Sequence, residues 1–300
     1  MPALAIAFPQ ASTRQLCQTL GISRSGWYAH LRRSPAERDV ALRAAIEEVT
    51  LAFPGYGYRR VTQAPRRAGW AVNSKRVLRL MREEALLCQL QRRFVVTTTG
   101  RPGLGAYPNR LRAAPRRQPD QAWVADITYI RLPTTFCYLA TLLDAYSRRV
   151  VGWELSRRID TDLTLGALER ALTARQPAPG WIHHSDHGVQ YASTRYVARL
   201  EAAGAQISMA TKGNVYENAL AESFFATLKR EEVQLHDYQT LAEAEARLEQ
   251  FIDTVYNHKR LHSSLGYRPP SEVEAAWQQT HDDDEFWDHG ASPALVVVRS

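Results

Sequence analysis

The 300-residue chain is poor in cysteine: Cys17, Cys88 and Cys137 are the whole set. They lie far apart and form no CxxC pair, which argues against a zinc finger and a disulfide framework and fits a reducing compartment. Long apolar runs are also missing. No stretch approaches the roughly 18 residues needed to span a bilayer. The opening MPALAIAFPQ lacks the basic start and the length of a secretory leader. These absences lead to the expectation of a cytoplasmic protein with no membrane partner. Acid is scarce in one half only. Residues 1–118 hold 21 Lys/Arg against 6 Asp/Glu, whereas residues 119–300 hold 17 against 25. Such asymmetry suggests a basic arm that meets nucleic acid, with a merely solvated basic surface as the alternative.

The basic half reads as helical. In residues 12–33, Gly21 separates two short helical patterns and Ser23 is placed to cap the second, which carries Arg24 and Tyr28. Residues 56–84 repeat this helix–turn–helix grammar, with Arg59 and Arg60 in the first segment. Gly69 forms the turn, and Asn73 or Ser74 caps a helix that bears Lys75, Arg76 and Arg79. These six cations are the candidate DNA contacts of the region. Pro65 is awkward, because an interior proline removes a hydrogen bond; the reading is that one helix breaks there or the next begins. Residues 1–87 are therefore taken as a helical, DNA-binding region. Residues 88–121, rich in Gly, Pro and Arg, read as a flexible basic linker.

From residue 122 the pattern changes to α/β. Residues 123–131, 136–144 and 149–155 read as three strands joined by short turns, an antiparallel meander. A helix at 162–175, a strand at 181–185, a helix at 193–203, a strand at 206–209 and helices at 218–231 and 241–256 follow. Residues 122–278 are thus one mixed α/β core with a C-terminal helix, and residues 279–300 a disordered tail.

Three acids stand out. Asp126 interrupts the apolar strand WVADITYI, where an unpaired carboxylate is costly. Asp186 ends a short apolar strand, and Glu222 lies on a helix stripe with Asn218, Ala226 and Lys229. Thirty-five residues separate Asp186 from Glu222. Phosphodiester chemistry calls for hard cations, and a pair of Mg²⁺ or Mn²⁺ ions about 3.5–4 Å apart takes oxygen ligands. Each acid alone is more simply a strand-end or solvated-face residue; the three together point to metal. His183, His184 and His187 crowd Asp186 but complete no zinc set, so they read as rim or DNA-facing groups.

The motifs WVADITYI, DAYSRRVVGW, HSDHGVQY, the Glu222 helix and YNHKRLHSSLGYRPP occur in that order. Together with GISRSGWYAHLRR, YGYRRV and KRVLRLMREEALL they make the chain resemble the second-frame (OrfB) transposases of two-frame insertion sequences, over roughly residues 13–275. The resemblance implies a ribonuclease-H-like, integrase-type core with a mixed five-stranded sheet. It implies Asp126, Asp186 and Glu222 as catalytic metal ligands and Lys229 as a DNA contact. Asp144, Asn218 and His184 are expected to support those ligands from behind, Asp144 with a plain turn role as its alternative. The implied activity is 3′-end cleavage and strand transfer at element ends, with two Mg²⁺ or Mn²⁺ ions. The implied partners are element-end and target DNA, a second copy of the chain, and the OrfA product or an OrfA–OrfB fusion. A nuclease that cuts without joining, or a non-catalytic regulator, are the rival expectations. The residues beyond Gln278 have no counterpart in that family.

Overall fold

The computed structural model describes residues 12–31, 37–88, 107–114, 116–210 and 218–288. The chain divides into two compact units, Met1–Gln89 and Leu90–Ser300.

The first unit is helical: α1 (Thr13–Thr19), α2 (Arg24–Leu31), α3 (Glu37–Ala52), α4 (Tyr58–Arg67) and α5 (Ser74–Glu83). Ser12 and Gln15 form a reciprocal capping box at the start of α1. Gly21 takes φ +63° in the turn, and Ser23 accepts from the Gly26 N–H at 3.0 Å, as its position at the head of α2 predicts. Asn73 supplies the cap of α5, accepting from the Lys75 N–H at 2.8 Å. Leu42, Ile46, Val61, Val77, Leu80 and Met81 are buried between α3, α4 and α5. The expectation about Pro65 is corrected. It neither breaks nor starts a helix but sits inside α4, close to its end. It is buried, and it forgoes the one intrahelical hydrogen bond that a backbone N–H would have made.

The second unit is built on one five-stranded sheet of order β3-β2-β1-β4-β5. The strands are β1 (Ala122–Arg131), β2 (Phe136–Asp144), β3 (Val150–Ser156), β4 (Ile182–Ser185) and β5 (Gln206–Met209). The meander β1–β2–β3 is antiparallel, and β4 and β5 run parallel to β1. Parallel strands need crossovers, and α6 (Thr161–Arg175) and α7 (Thr194–Ala202) provide them. Alternation along β1 sends Trp123 and Ala125 to one face and Val124 to the other. The first face packs under α6 and α7 through Leu163, Leu168 and Leu200. The second packs under α8 (Ala219–Glu231) and α9 (Leu241–Glu249) through Phe224, Leu228 and Leu248. Gly152 is the point of closest approach, since a Cβ there would lie 2.4 Å from the Ala167 carbonyl oxygen.

Three details depart from the expectations. The latter part of the supposed linker packs down: Leu111 is buried, and the Arg110 N–H donates to the Ser208 hydroxyl at 2.9 Å. The long C-terminal helix changes to π geometry over Gln250–Tyr256. The last helix, α10 (Pro270–Asp288), runs past Gln278, so the extension expected to be disordered is helical as far as Asp288. Residues 289–300 lie outside the described ones.

Candidate active site

The sheet register brings two of the three acids side by side. Val124 pairs with His184 on the parallel strands β1 and β4, and two residues further along stand Asp126 and Asp186. Glu222 arrives from α8. Ala221, Phe224, Phe225 and Leu228 bury one stripe of that helix, which leaves Glu222 exposed in its first turn, where the helix dipole favours an acid. Asp126 is half-buried. Burial, then the charge of Asp186, and more weakly that of Glu222, push its carboxyl up to about 7. Two hydrogen bonds oppose the rise. The Ile127 N–H donates to Oδ1 at 2.7 Å, and the Asn218 amide donates to Oδ2 at 2.7 Å. Asp186 is exposed, and its Oδ1 accepts from the Gly188 N–H at 2.9 Å. Among the described residues, no three His, Cys, Asp or Glu side chains close to metal-holding distance.

Lys229 lies two turns along α8 from Glu222. Its ammonium stands 4.7 Å from the Tyr129 ring centroid, over its face, and burial holds its pKa below the ordinary lysine value while Asp126 pulls it the other way. Asn218, expected to support the acids, donates its amide to one of them, Asp126. His184 is fully buried and shares a hydrogen bond with the Ser208 hydroxyl at 2.8 Å, which fastens β4 to β5. His183 is equally buried against the Tyr196 hydroxyl at 2.9 Å, and burial drives its pKa down to about 3.

Asp144 is placed elsewhere. It pairs with Trp123, three residues along β1 from Asp126. Its oxygens accept from the N–H groups of Asp120, Tyr146 and Ser147 and from the Ser147 hydroxyl, the pattern of a turn organiser. In the segment after α9, Asn257, Arg260 and His262 are buried. Asn257 clasps the Val150 backbone at 3.0 Å through both its oxygen and its nitrogen, and Arg260 grips Glu231 at 2.7 and 2.8 Å. Sequence reasoning passed over Tyr191, five residues beyond Asp186 in HSDHGVQY. Its hydroxyl is buried without a hydrogen-bond partner among the described residues, and the charges of Asp126 and Asp186 add to the burial that raises its pKa.

In the first unit the candidate cations divide. Arg24, Arg59 and Lys75 are exposed. Arg59 and Arg60 lie over the rings of Tyr58 and Tyr56, each 5.5 Å from the centroid. Arg76 is engaged with Asp39 (Nε to Oδ1 2.8 Å) and Arg79 with Glu83 at 2.7 Å, and these hydrogen bonds hold both acids below their ordinary pKa.

Comparison with known proteins decides the family. Residues 116–215 match an integrase core domain, residues 203–270 a second family of the same description, and residues 37–94 an HTH-like domain. The chain is 36% identical over 250 residues to the transposase of insertion sequence element IS904 from Lactococcus lactis subsp. lactis (strain IL1403), covering 81% of this chain and 98% of that one. The chain belongs to the insertion-sequence transposases. It is also 35% identical over 295 residues to the IS629 transposase of Shigella sonnei, with 95% and 99% of the two chains covered. An uncharacterized 31 kDa protein of insertion element IS600, also from Shigella sonnei, is 35% identical over 270 residues, covering 88% of this chain and 99% of that one. A solved structure of the catalytic core of BIV integrase superposes with a TM-score of 0.41 at 17% identity, over 54% of this chain and 99% of that one. The transposase carries an integrase core domain, preceded in sequence by an HTH-like domain.

Proposed function

We propose that the chain cuts an insertion-sequence end and joins it to a second DNA strand, with Asp126, Asp186 and Glu222 as its catalytic metal ligands. One observation carries the reading: a strand carboxyl that burial raises to about 7 is pushed in the same direction by two further acids delivered from separate elements. A fold seldom gathers like charges without a cation to offset them.

The donor set fits a hard divalent ion, since all three groups offer carboxylate oxygen. Two magnesium or manganese ions would supply a nucleophile active at neutral pH and offset the charge on the phosphate. The Asn218 amide on Oδ2 would orient the Asp126 carboxylate while leaving lone pairs open to a cation. Lys229, braced on Tyr129, is positioned to hold a phosphate beside the acids. His184 keeps β4 seated on β5 and so sets the height of Asp186.

In this reading water displaces the 3′ oxygen at the element end, and the freed 3′-hydroxyl then displaces the 3′ oxygen of a bond in the receiving strand. Each attack breaks one phosphodiester bond and forms one new P–O bond, so no covalent protein–DNA link is needed. The first unit supplies element-end contacts through its exposed Arg24, Arg59 and Lys75, with Arg60 beside them. Arg76 and Arg79 contribute by fixing α5 to α3. A second copy of the chain, an OrfA product or an OrfA–OrfB fusion, and the bacterial cytoplasm complete the proposal. The test is product analysis on a labelled element end with Mg²⁺ or Mn²⁺. Joined strands support it, cut strands alone favour a nuclease, and salt-sensitive binding with neither product favours a non-catalytic regulator.

A further inference from the structure

The catalytic unit has a second cationic feature, at the β2–β3 turn rather than among the acids. Arg116, Arg148 and Arg268 line an open cavity of about 450 Å³ together with Tyr146, Ser264 and Gly266. No carboxylate lines it. The acid nearest in sequence, Asp144, is fully buried with its oxygens taken by the four donors named above. Arg148 is the unusual member. Its Nε is buried and has no hydrogen-bond partner among the described residues. Burial, then the charge of Arg116, hold its guanidinium below the ordinary pKa, against weaker upward pulls from Tyr256 and Asp144.

The backbone adds an independent sign. Arg148 closes the turn with its N–H on the Asp144 carbonyl at 2.9 Å and takes φ +67°, a conformation suited to glycine. A long cationic side chain is kept where the backbone disfavours any side chain, and strain of this kind gathers at functional positions. Arg268 is held by its own Nε on the Leu265 carbonyl at 3.3 Å, beside the left-handed Gly266. The turn of YNHKRLHSSLGYRPP thereby carries a third guanidinium to the same basin.

We propose that this basin binds a phosphate of the DNA backbone at a point separate from Asp126, Asp186 and Glu222. Planar guanidinium forks match phosphate oxygens in pairs, and the exposed Ser264 hydroxyl offers one more donor. Asp144, at the lip of the turn, sits three residues from the level of Asp126, about 10 Å along the strands. The basin therefore grips DNA at a distance from the bond being cut. This inference rests on the DNA-acting reading above but not on the metal chemistry, so its test omits divalent ions.

The experiment measures duplex affinity of the full chain by fluorescence anisotropy across a series of salt concentrations. Arg148→Gly suits the +67° backbone and is expected to keep the thermal midpoint within a few degrees of wild type. Its slope of log affinity against log salt is expected to be shallower by about one. Arg148→Lys is expected to recover most of that slope. Arg116→Gln combined with Arg148→Gly is expected to lose about two. Slopes that match wild type in all three overturn the proposal. Inorganic phosphate, titrated calorimetrically, separates the sources. Binding of phosphate by wild type but not by Arg148→Gly, with unchanged DNA slopes, marks a free-phosphate site and also overturns it.

Discussion

The side-chain amide of Asn218 donates to Oδ2 of Asp126 at 2.7 Å, joining the head of α8 to the middle of β1. That bond lowers the pKa of Asp126 against the larger upward push of burial and Asp186. Removing it leaves only the Ile127 N–H to oppose the push. Asn218→Ala is expected to move the acid limb of the pH–rate profile for cation-dependent cleavage upward, by an amount on the order of half a unit. An unmoved limb with a reduced plateau assigns Asn218 to packing instead.

Asp126 also makes stability depend on pH. Its folded pKa, about 7, lies above the ordinary carboxylate value of 3.8, so the folded state holds the proton more tightly. The stability this confers is complete below about pH 4 and is lost as pH rises through 7. Without divalent ions, Asp126→Asn is expected to raise stability over wild type at pH 8, on the order of 2 kcal/mol after solvent screening, and by much less at pH 5. Added Mg²⁺ is expected to narrow the gap at pH 8 by stabilising wild type alone. Denaturant melts at the two pH values check this; a gain of equal size at both would mean that the charge is not its cause.

The grip of Arg260 on Glu231 ties the end of α8 to the segment after α9. Both side chains are nearly inaccessible, at 2% and 6% exposure. Breaking a buried pair from one side strands the other charge, although Glu231 would keep Arg230, at 2.8 Å, as a counter-charge. Arg260→Ala is expected to cost about 3–5 kcal/mol in thermal or denaturant unfolding of the catalytic unit. A loss under about 1 kcal/mol would place the pair among weak surface bridges.

Gly152 marks where β3 and α6 come closest. A methyl there meets the Ala167 carbonyl oxygen at 2.4 Å, the Ala171 Cβ at 2.7 Å and the Ala171 N at 2.8 Å. Two of these are backbone atoms that no rotamer change moves aside. Gly152→Ala is expected to destabilise by roughly 1–3 kcal/mol, the usual cost of overpacking. Gly21, with open space around its Cβ position, is expected to suffer from Ala only through its φ of +63°. Parallel melts of the two variants compare crowding with backbone strain.

Much of the catalytic unit was legible because its strands are buried on alternating faces. Trp123 and Val124 point oppositely, and both sides are apolar, so the strand β2 (Phe136–Asp144) is recovered residue for residue. Asp126 was visible as a charge inside such a run, and its neighbour Asn218 through the helical spacing to Glu222. The missed features obey no local period. The packing of Leu111 and Arg110 against the sheet is long-range, joining Arg110 to Ser208 across a segment that reads as linker. The π geometry over Gln250–Tyr256 leaves no mark in residue type. Arg76 and Arg79 looked like free cations because Asp39, far off in sequence, was not placed beside them. Asp144 ends an apolar strand much as Asp186 does, and only the hydrogen bonds of the turn separate the two roles.

The gathering of the three acids is tested most directly by calorimetric titration of Mn²⁺ into the full chain and into Asp126→Asn, Asp186→Asn and Glu222→Gln. The account predicts saturable binding by wild type, weakened at least about tenfold by each substitution while duplex affinity is retained. Equal Mn²⁺ affinity in wild type and all three variants would contradict it.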